Sequence, residues 1–369
     1  MKVMHILDSL NRGGAEMLVL DVCRNAQANN LDLTLVATGG GELESDFRNS
    51  GVAFHRLERR RPVDLTLARR IRAIVEEDQI DIVHTHQAVE ALHGYLATRR
   101  NRNVKRIMTF HLCTSDTKNR LALNLLVSRM HANVAVSHEL RKCLKAEAGF
   151  DTAERFHVIH NGVDQHRLQA KGIDLRNKLE LPASAFLVGM VGNFYPDRRK
   201  DQLTICRSLP GVLREVPGAH VLFVGGDIAD SLEMQKSIAV CRELNITDRV
   251  HFLGKRTDIP DVLHSLDIYV HSSVNESLGI AVVEAMLVGR PVVVSDIGAL
   301  LEVTANGEVG VAFRTGDAAD LASKLIELAR DEPRRTELAY KGKNFALQEF
   351  TIEKHISALL ALYNKVLLT

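Results

Sequence analysis

The sequence predicts two consecutive α/β domains, each a doubly wound parallel sheet with helices on both faces. Three observations carry this. Short apolar runs alternate with amphipathic stretches along the whole chain. The alternation pauses and restarts after Asn161-Gly162-Val163-Asp164. And 369 residues are too many for one ordinary α/β core and about right for two.

In the first half, strand-like runs fall at Val3–Leu7, Leu33–Ala37, Val52–His55, Ile80–His84, Arg106–Phe110, Asn133–Val136 and His157–Ile159. Between them, Leu67, Ile71, Ile74 and Val75 recur at the spacing of one helix face. Strand, helix and strand repeated in this way imply a parallel sheet covered on both sides. The segment 165–184 opens with a polar stretch, carries no strand signal and reads as a linker. New strands are expected at Phe186–Val191, His220–Val224, Val250–Leu253, Asp267–Val270, Pro291–Ser295 and Val309–Phe313. The domains are therefore 1–164 and 185–350, with a final helix over 351–369 carrying Ile356, Leu359, Leu360, Tyr363, Val366 and Leu367. Two such domains are expected to face a central cleft, because ligands of these sheets bind at the carboxyl ends of strands.

Apolar residues make up 46% of the chain and charged ones 25%, the profile of a soluble globular protein. A net charge of +1 gives no reason to expect nucleic acid as a partner. The five cysteines (Cys23, Cys113, Cys143, Cys206 and Cys241) are scattered and form no Cys-x-x-Cys pair. Neither a disulfide nor a zinc site is expected, and a reducing cytoplasm fits. The first strand begins at once, which is read as leaving no signal peptide. No apolar run approaches the ~20 residues of a membrane span. Membrane contact is expected to be peripheral at most, through Arg59-Arg60-Arg61, Arg99-Arg100, Arg102 to Arg106 and Arg141-Lys142, or these are solvated faces.

The most informative segment runs Ser272-Ser273-Val274-Asn275-Glu276-Ser277-Leu278-Gly279-Ile280-Ala281-Val282-Val283-Glu284-Ala285-Met286, then Gly289-Arg290-Pro291. It reads as strand, loop, helix, glycine stop and strand. Ser277 is the expected N-cap. Gly279 removes a side chain where a ligand or another backbone comes close. The helix start then offers free N–H groups and the positive end of its dipole, which suits a phosphate. Glu284 lies in an otherwise apolar stretch, where a carboxylate needs a partner. That partner is a ribose with vicinal hydroxyls, or else a neighbouring arginine or backbone N–H. Leu278 and Glu284 are six residues apart, about 9 Å along a helix. That is the reach from a diphosphate at the helix end to a ribose along its side.

Glu276 and Glu284, with seven residues between them, resemble the Glu-x7-Glu signature of the large family of retaining glycosyltransferases with the GT-B fold. The surroundings agree at Phe252-Leu253-Gly254, Asp258-Ile259-Pro260, Ser272-Ser273, Glu284-Ala285-Met286, Gly289, Pro291-Val292-Val293 and Glu302. The resemblance covers essentially the whole chain. It implies two Rossmann-like domains, an acceptor-binding first and a donor-binding second, with the C-terminal helix crossing back to the first. It places the transferred sugar near Glu276, and the donor near Ser277, Leu278, Gly279 and Glu284.

The resemblance extends to further loops. In Gly192-Asn193-Phe194-Tyr195-Pro196-Asp197-Arg198-Arg199-Lys200, the family has Gly-Arg followed by a Lys, both cations on the donor diphosphate. Lys200 matches the Lys. Asn193 stands where Arg is usual, and Arg199 or Arg198 substitutes for it on this reading. Gly225-Gly226-Asp227 matches a glycine-rich turn near the nucleotide, and Arg256 lies where the family frames the base. Gly13 and Gly14, in Arg12-Gly13-Gly14-Ala15-Glu16, face the donor phosphate and acceptor; this is not a Gly-x-Gly-x-x-Gly dinucleotide loop. His111, at the end of its strand, is implied to reach the transferred sugar or the acceptor. His84 and His86 are placed at the acceptor pocket.

No Asp-x-Asp pair occurs, so transfer without a metal is expected, with no cofactor beyond a UDP-sugar as donor substrate. The implied reaction retains anomeric configuration and moves a hexose to a glycan or lipid-linked acceptor, in the setting of bacterial surface polysaccharide synthesis. The competing readings are a non-catalytic nucleotide-sugar-binding subunit and an epimerase of the same fold.

Overall fold

The computed structural model describes residues 1–113, 123–148, 155–197, 199–228 and 232–368. Arg198, offered above as a donor contact, lies outside them. The chain forms two compact units: residues 1–164 with 350–369, and residues 165–349.

The first unit is built on seven strands: β1 (Lys2–Leu7), β2 (Asp32–Ala37), β3 (Ala53–Arg56), β4 (Ile82–His86), β5 (Lys105–Phe110), β6 (Ala132–Ala135) and β7 (Phe156–Val158). All run parallel, in the order β3-β2-β1-β4-β5-β6-β7. The order reverses at β1 and β4, which is where such a sheet opens a crevice at its carboxyl edge. The helix Leu65–Glu77 buries Leu67, Ala68, Ile71 and Val75, and Asp64 caps it by accepting from the Thr66 and Leu67 amides. The C-terminal helix Ile352–Leu367 presents Ile352, Ile356, Leu359, Tyr363 and Val366 along one face. That face packs with Leu18, Val19 and Val22 of the helix Gly14–Asn25 and with strand residues such as Val3 and Leu33 in one buried cluster.

The second unit has six parallel strands: β8 (Phe186–Val191), β9 (Ala219–Val224), β10 (Val250–Phe252), β11 (Ile268–His271), β12 (Val292–Ser295) and β13 (Val311–Phe313). Their order is β10-β9-β8-β11-β12-β13, reversing at β8 and β11.

Three expectations need correction. Cys113 and Cys143 form a disulfide. Cys113 follows β5, and Cys143 lies on the helix His138–Ala148 that follows the adjacent strand β6. Sheet order therefore brings together two cysteines that sequence spacing leaves unrelated, and cysteine usage no longer argues for a reducing compartment. Segment 165–184 is not a free linker. Lys171 and Ile173 donate their amides to Asp261, Leu175 to Ser265 Oγ, and the Arg176 guanidinium bonds to Asp267, fastening it to the second unit. Finally, β4 ends at His86 and β11 at His271, each beyond the expected limit, which moves a histidine onto the end of each strand. No helix among the described residues is long and apolar enough to cross a membrane.

Candidate active site

In the second unit, the loops after β8 and β11 leave the sheet side by side at the reversal point. Residues 199–201 and 272–274 run antiparallel: Asp201 donates its amide to the Ser272 carbonyl at 2.9 Å, Val274 to the Arg199 carbonyl at 3.0 Å, and Lys200 faces Ser273. This short ladder carries the Lys200 ammonium onto the Glu276 carboxylate, where the two form an ion pair. The same Glu276 oxygen, Oε1, lies 2.6 Å from His271 Nε2 and accepts from the Ser273 hydroxyl at 2.9 Å.

A contact that short against a carboxylate requires a proton, so His271 Nε2 is the donor. Its Nδ1, 3.0 Å from the Tyr269 hydroxyl, then accepts. Burial pushes the Glu276 pKa up, but the Lys200 charge and the His271 hydrogen bond outweigh it and hold the acid well below the usual carboxylate range. Burial and the Lys200 charge lower His271, leaving it neutral. The result is a buried, ionised carboxylate with three donors on one oxygen, one of them the Lys200 ammonium. The family resemblance pointed to Lys200 and Glu276. His271, Ser273 and Tyr269 were missed, and the one sequence signal for His271 was a polar residue closing an apolar strand.

The helix after this loop spans Ile280–Leu287 and has no side-chain cap. Ser277 was expected as N-cap, but the cap is Gly279, whose φ of +96° is left-handed. A Cβ there would also stand 2.7 Å from Leu300 Cδ2. The helix start thus remains open to an anion. Leu278 is buried beside it. Glu284, one and a half turns along, is paired with Arg167 at 2.6 Å. Of its two anticipated partners the arginine is present, and it comes from segment 165–184, out of reach of local sequence reading.

The remaining donor-loop residues divide. Asn193 Oδ1 accepts from the Gly226 amide at 3.1 Å, and Phe194 N donates to Gly226 O at 2.9 Å. Asn193 therefore clamps two turns together where the family places a cation, and the Gly226 amide is spent on that clamp. The turns touch because Gly225 lacks a Cβ, which would meet Gly192 O at 2.2 Å. Arg199 is bound bidentately by Asp197, with its guanidinium 4.9 Å from the Tyr195 ring. Arg256 is likewise held by Asp258. Neither arginine is the free cation that the missing Arg called for.

In the first unit, Gly13 caps the helix Gly14–Asn25 in an extended conformation with no side-chain bond of its own, and the Glu16 carboxylate folds back onto its own amide in the first turn. His111 follows β5 and is 8% exposed, with Nε2 2.9 Å from His86 Nδ1. His84 and His86 were expected to shape an acceptor pocket. They are 1% and 4% exposed, and both ring nitrogens of each are hydrogen-bonded inside the unit. They belong to the interior, because alternation along β4 turns both to the face that the C-terminal helix covers. Gln87, next along, takes φ +85° and ψ 175°, a region normally reserved for glycine, with its amide on Thr109 O. Such strain persists only where the surrounding structure holds it in place.

Two family profiles match the chain: Glycosyltransferase Family 4 over residues 12–167 and Glycosyl transferases group 1 over residues 185–331. The chain belongs to this family of glycosyltransferases, and its two parallel-sheet domains have the GT-B fold. Among relatives, the N-acetyl-alpha-D-glucosaminyl L-malate synthase of Bacillus anthracis is 25% identical over 318 residues, 83% of this chain and 80% of that one. The UDP-Gal:alpha-D-GlcNAc-diphosphoundecaprenol alpha-1,3-galactosyltransferase of Escherichia coli is 24% identical over 304 residues, 79% and 76% of the two chains. Among solved structures, Anabaena HepE in complex with UDP superposes with a TM-score of 0.87 at 22% identity, covering 99% of this chain and 100% of its own.

Proposed function

We propose that this glycosyltransferase moves a hexose from a UDP-sugar, UDP-glucose or a close analogue, to a glycan or lipid-linked acceptor, with retention of configuration and without a metal. The observation that carries the reading is the buried Lys200–Glu276–His271–Ser273 cluster beside the uncapped start of the helix Ile280–Leu287. As the bond from the anomeric carbon to the diphosphate breaks, charge grows on the leaving oxygen, and a fixed ammonium and helix amides stabilise it. The new bond to the acceptor oxygen forms on the same face, and the acceptor proton passes to the departing diphosphate. Glu276, ionised and with Oε2 not used by its three donors, holds hydroxyls of the transferred sugar. His111 is read as a further contact to that sugar.

HepE, solved with UDP and with UDP-glucose, and the galactosyltransferase, with UDP-Gal in its name, support the choice of base. The second also supports a lipid-diphosphate acceptor, as in surface polysaccharide assembly. Peripheral contact with an anionic membrane is part of the reading, supported by the basic concavity of Arg99, Arg106, Arg129, Arg155 and Lys365. Arg59 is not part of it, being bound to Asp8 at 2.8 Å.

The test is calorimetry with UDP and GDP, followed by transfer assays with labelled UDP-hexoses in excess EDTA. UDP should bind more tightly, and transfer should survive chelation. Tighter GDP binding, or activity that EDTA abolishes and Mg²⁺ restores, overturns the corresponding part, and binding without turnover points to a non-catalytic subunit.

Glu284 is read as the ribose acceptor, oriented by Arg167. Glu284→Ala should weaken UDP binding roughly 10- to 150-fold, the cost of losing about 1.5–3 kcal/mol of charged hydrogen bonding. An unchanged UDP affinity in the folded variant would reduce Glu284 to a structural ion-pair partner.

A further inference from the structure

Six side chains of the first unit form one unbroken hydrogen-bonded chain. His111 Nε2 lies 2.9 Å from His86 Nδ1, and His86 Nε2 3.1 Å from His5 Nδ1. His5 Nε2 is 2.9 Å from the Tyr363 hydroxyl, which is 2.6 Å from His84 Nδ1. His84 Nε2 ends the chain 2.7 Å from Thr109 Oγ1. The sheet register builds it: His5 pairs with His84 across β1 and β4, and His86 with Thr109 across β4 and β5. Side chains at i and i+2 share a face, and Tyr363 of the C-terminal helix closes the gap between His5 and His84.

A neutral imidazole carries one N–H and one lone pair, and a hydroxyl carries one proton. Six protons serve five contacts; a Tyr363 hydroxyl that accepted from both His5 and His84 would strand its own buried proton, so with Tyr363 donating the fully bonded chain has two states. In one, every proton points away from His111 and the spare is left on the Thr109 hydroxyl. In the other, every proton points toward His111 and the spare is left on His111 Nδ1. Thr109 is 4% exposed, and its hydroxyl bonds only to His84 among the described residues. The first state therefore strands a buried donor, and the second satisfies it.

We propose that this chain, through Tyr363 and Thr109, locks His111 as the neutral Nδ1–H tautomer and so makes it a hydrogen-bond donor, not a base, toward the transferred sugar. The role on the sugar rests on the function proposed above; the tautomer does not. Burial supports neutrality throughout. It lowers His5 and His111 to about 3, with His355 adding to it, and drives His84 and His86 well down. In the second state all four histidines carry the proton on Nδ1, the tautomer that free histidine disfavours. His5, His84 and His86 also offer ring nitrogens within 4.8 Å of one another, the spacing of a metal site. Every one of those nitrogens is engaged in the chain, so a metal would have to break it.

The experiment is imidazole NMR on the full chain labelled with ¹⁵N-histidine, with signals assigned by single substitutions. Nδ1–H is expected at His5, His84, His86 and His111. Tyr363→Phe, which removes only the hydroxyl, should release His111 to a mixed tautomer and lower turnover roughly tenfold while leaving UDP affinity unchanged. Thr109→Val should flip His84, and Thr109→Ser should keep the native pattern, a check that does not depend on tolerance of the tyrosine change. An Nε2–H proton on native His111, tautomers indifferent to both variants, or stoichiometric Zn²⁺ uptake that erases the N–H signals would each overturn the proposal. The expected tautomers together with full activity in His111→Ala would leave the chain standing and refute the role of His111 in transfer.

Discussion

Lys200→Ala is expected to lower turnover by roughly 10²- to 10³-fold, the usual cost of removing one fixed donor from a developing oxyanion. UDP affinity should fall with it, because on the proposed function the ammonium lies against the diphosphate before and after transfer. The effect has a second source. Lys200 holds the buried Glu276 ionised, and removing one partner of a buried pair costs about 3–5 kcal/mol. The variant should therefore also melt earlier, with the loss confined to the second unit. His111→Ala should behave differently, lowering turnover while leaving UDP affinity nearly intact, the pattern of an interaction made mainly in the transition state. Isothermal titration with UDP alongside steady-state transfer separates the two. Equal loss of UDP binding in both variants would sink the assignment of these residues to different tasks.

The second large effect is acid unfolding of the first unit. His5 and His111 titrate near 3 in the folded chain and His355 near 4, with burial the leading cause in each; His84 and His86 are also driven down. Unfolded, each has the ordinary histidine value of 6.5. Below 6.5 the unfolded chain therefore binds more protons, and stability is lost as pH falls toward 3. Each histidine contributes up to about 1.4 kcal/mol per pH unit. Two acids oppose them, and burial raises Glu16 as well as Glu90. Glu90 reaches about 8, so between 8 and its unfolded value it binds a proton only in the folded state and offsets one histidine. Asp8 and Asp64 are lowered and act only below the ordinary aspartate range. The balance is a net uptake of protons on unfolding, each uncompensated histidine contributing about 1.4 kcal/mol per pH unit once its unfolded form is charged, against a domain stability of about 5–15 kcal/mol. The first unit should unfold cooperatively within about two units below pH 6.5, ahead of the second. Melting curves from pH 7.5 to 4.5 test this, and a melting temperature flat across that range would mean that the histidines are not buried as neutral rings.

Much of the architecture was legible because it depends on local rules. Apolar runs such as Phe186–Val191 and the face of Leu67 and Ile71 follow from the periods of strand and helix, and they recur in the structure at nearly the same positions. Glu276, Gly279 and Glu284 were legible because motif spacing fixes their place on one strand–loop–helix unit, and Lys200 because the resemblance extends to the loop after β8. Ser277 misled, since a capping residue is only one of two ways to end a helix, and Gly279 supplied the other. Asn193 and Arg199 have partners within the protein that sequence could not give, because residue type says nothing about which polar group reaches them first.

By itself, the sequence determined the two α/β domains, the helix that follows Gly279, and the carboxylates with seven residues between them. Each is set by neighbours within one or two elements. Only the tertiary structure decided which groups share a proton or a charge. The Arg167–Glu284 pair, the Cys113–Cys143 bond, the convergence of His271 and Ser273 with Lys200 on Glu276, and the chain from Thr109 to His111 through Tyr363 all join residues that strand order and helix packing bring together. Side-chain hydrogen bonds and ion pairs act over about 3 Å in space, whatever the separation along the chain. A histidine at the end of a strand reads the same whether it becomes a core residue, a ligand or a donor, and its burial and the proton of its nearest partner decide which.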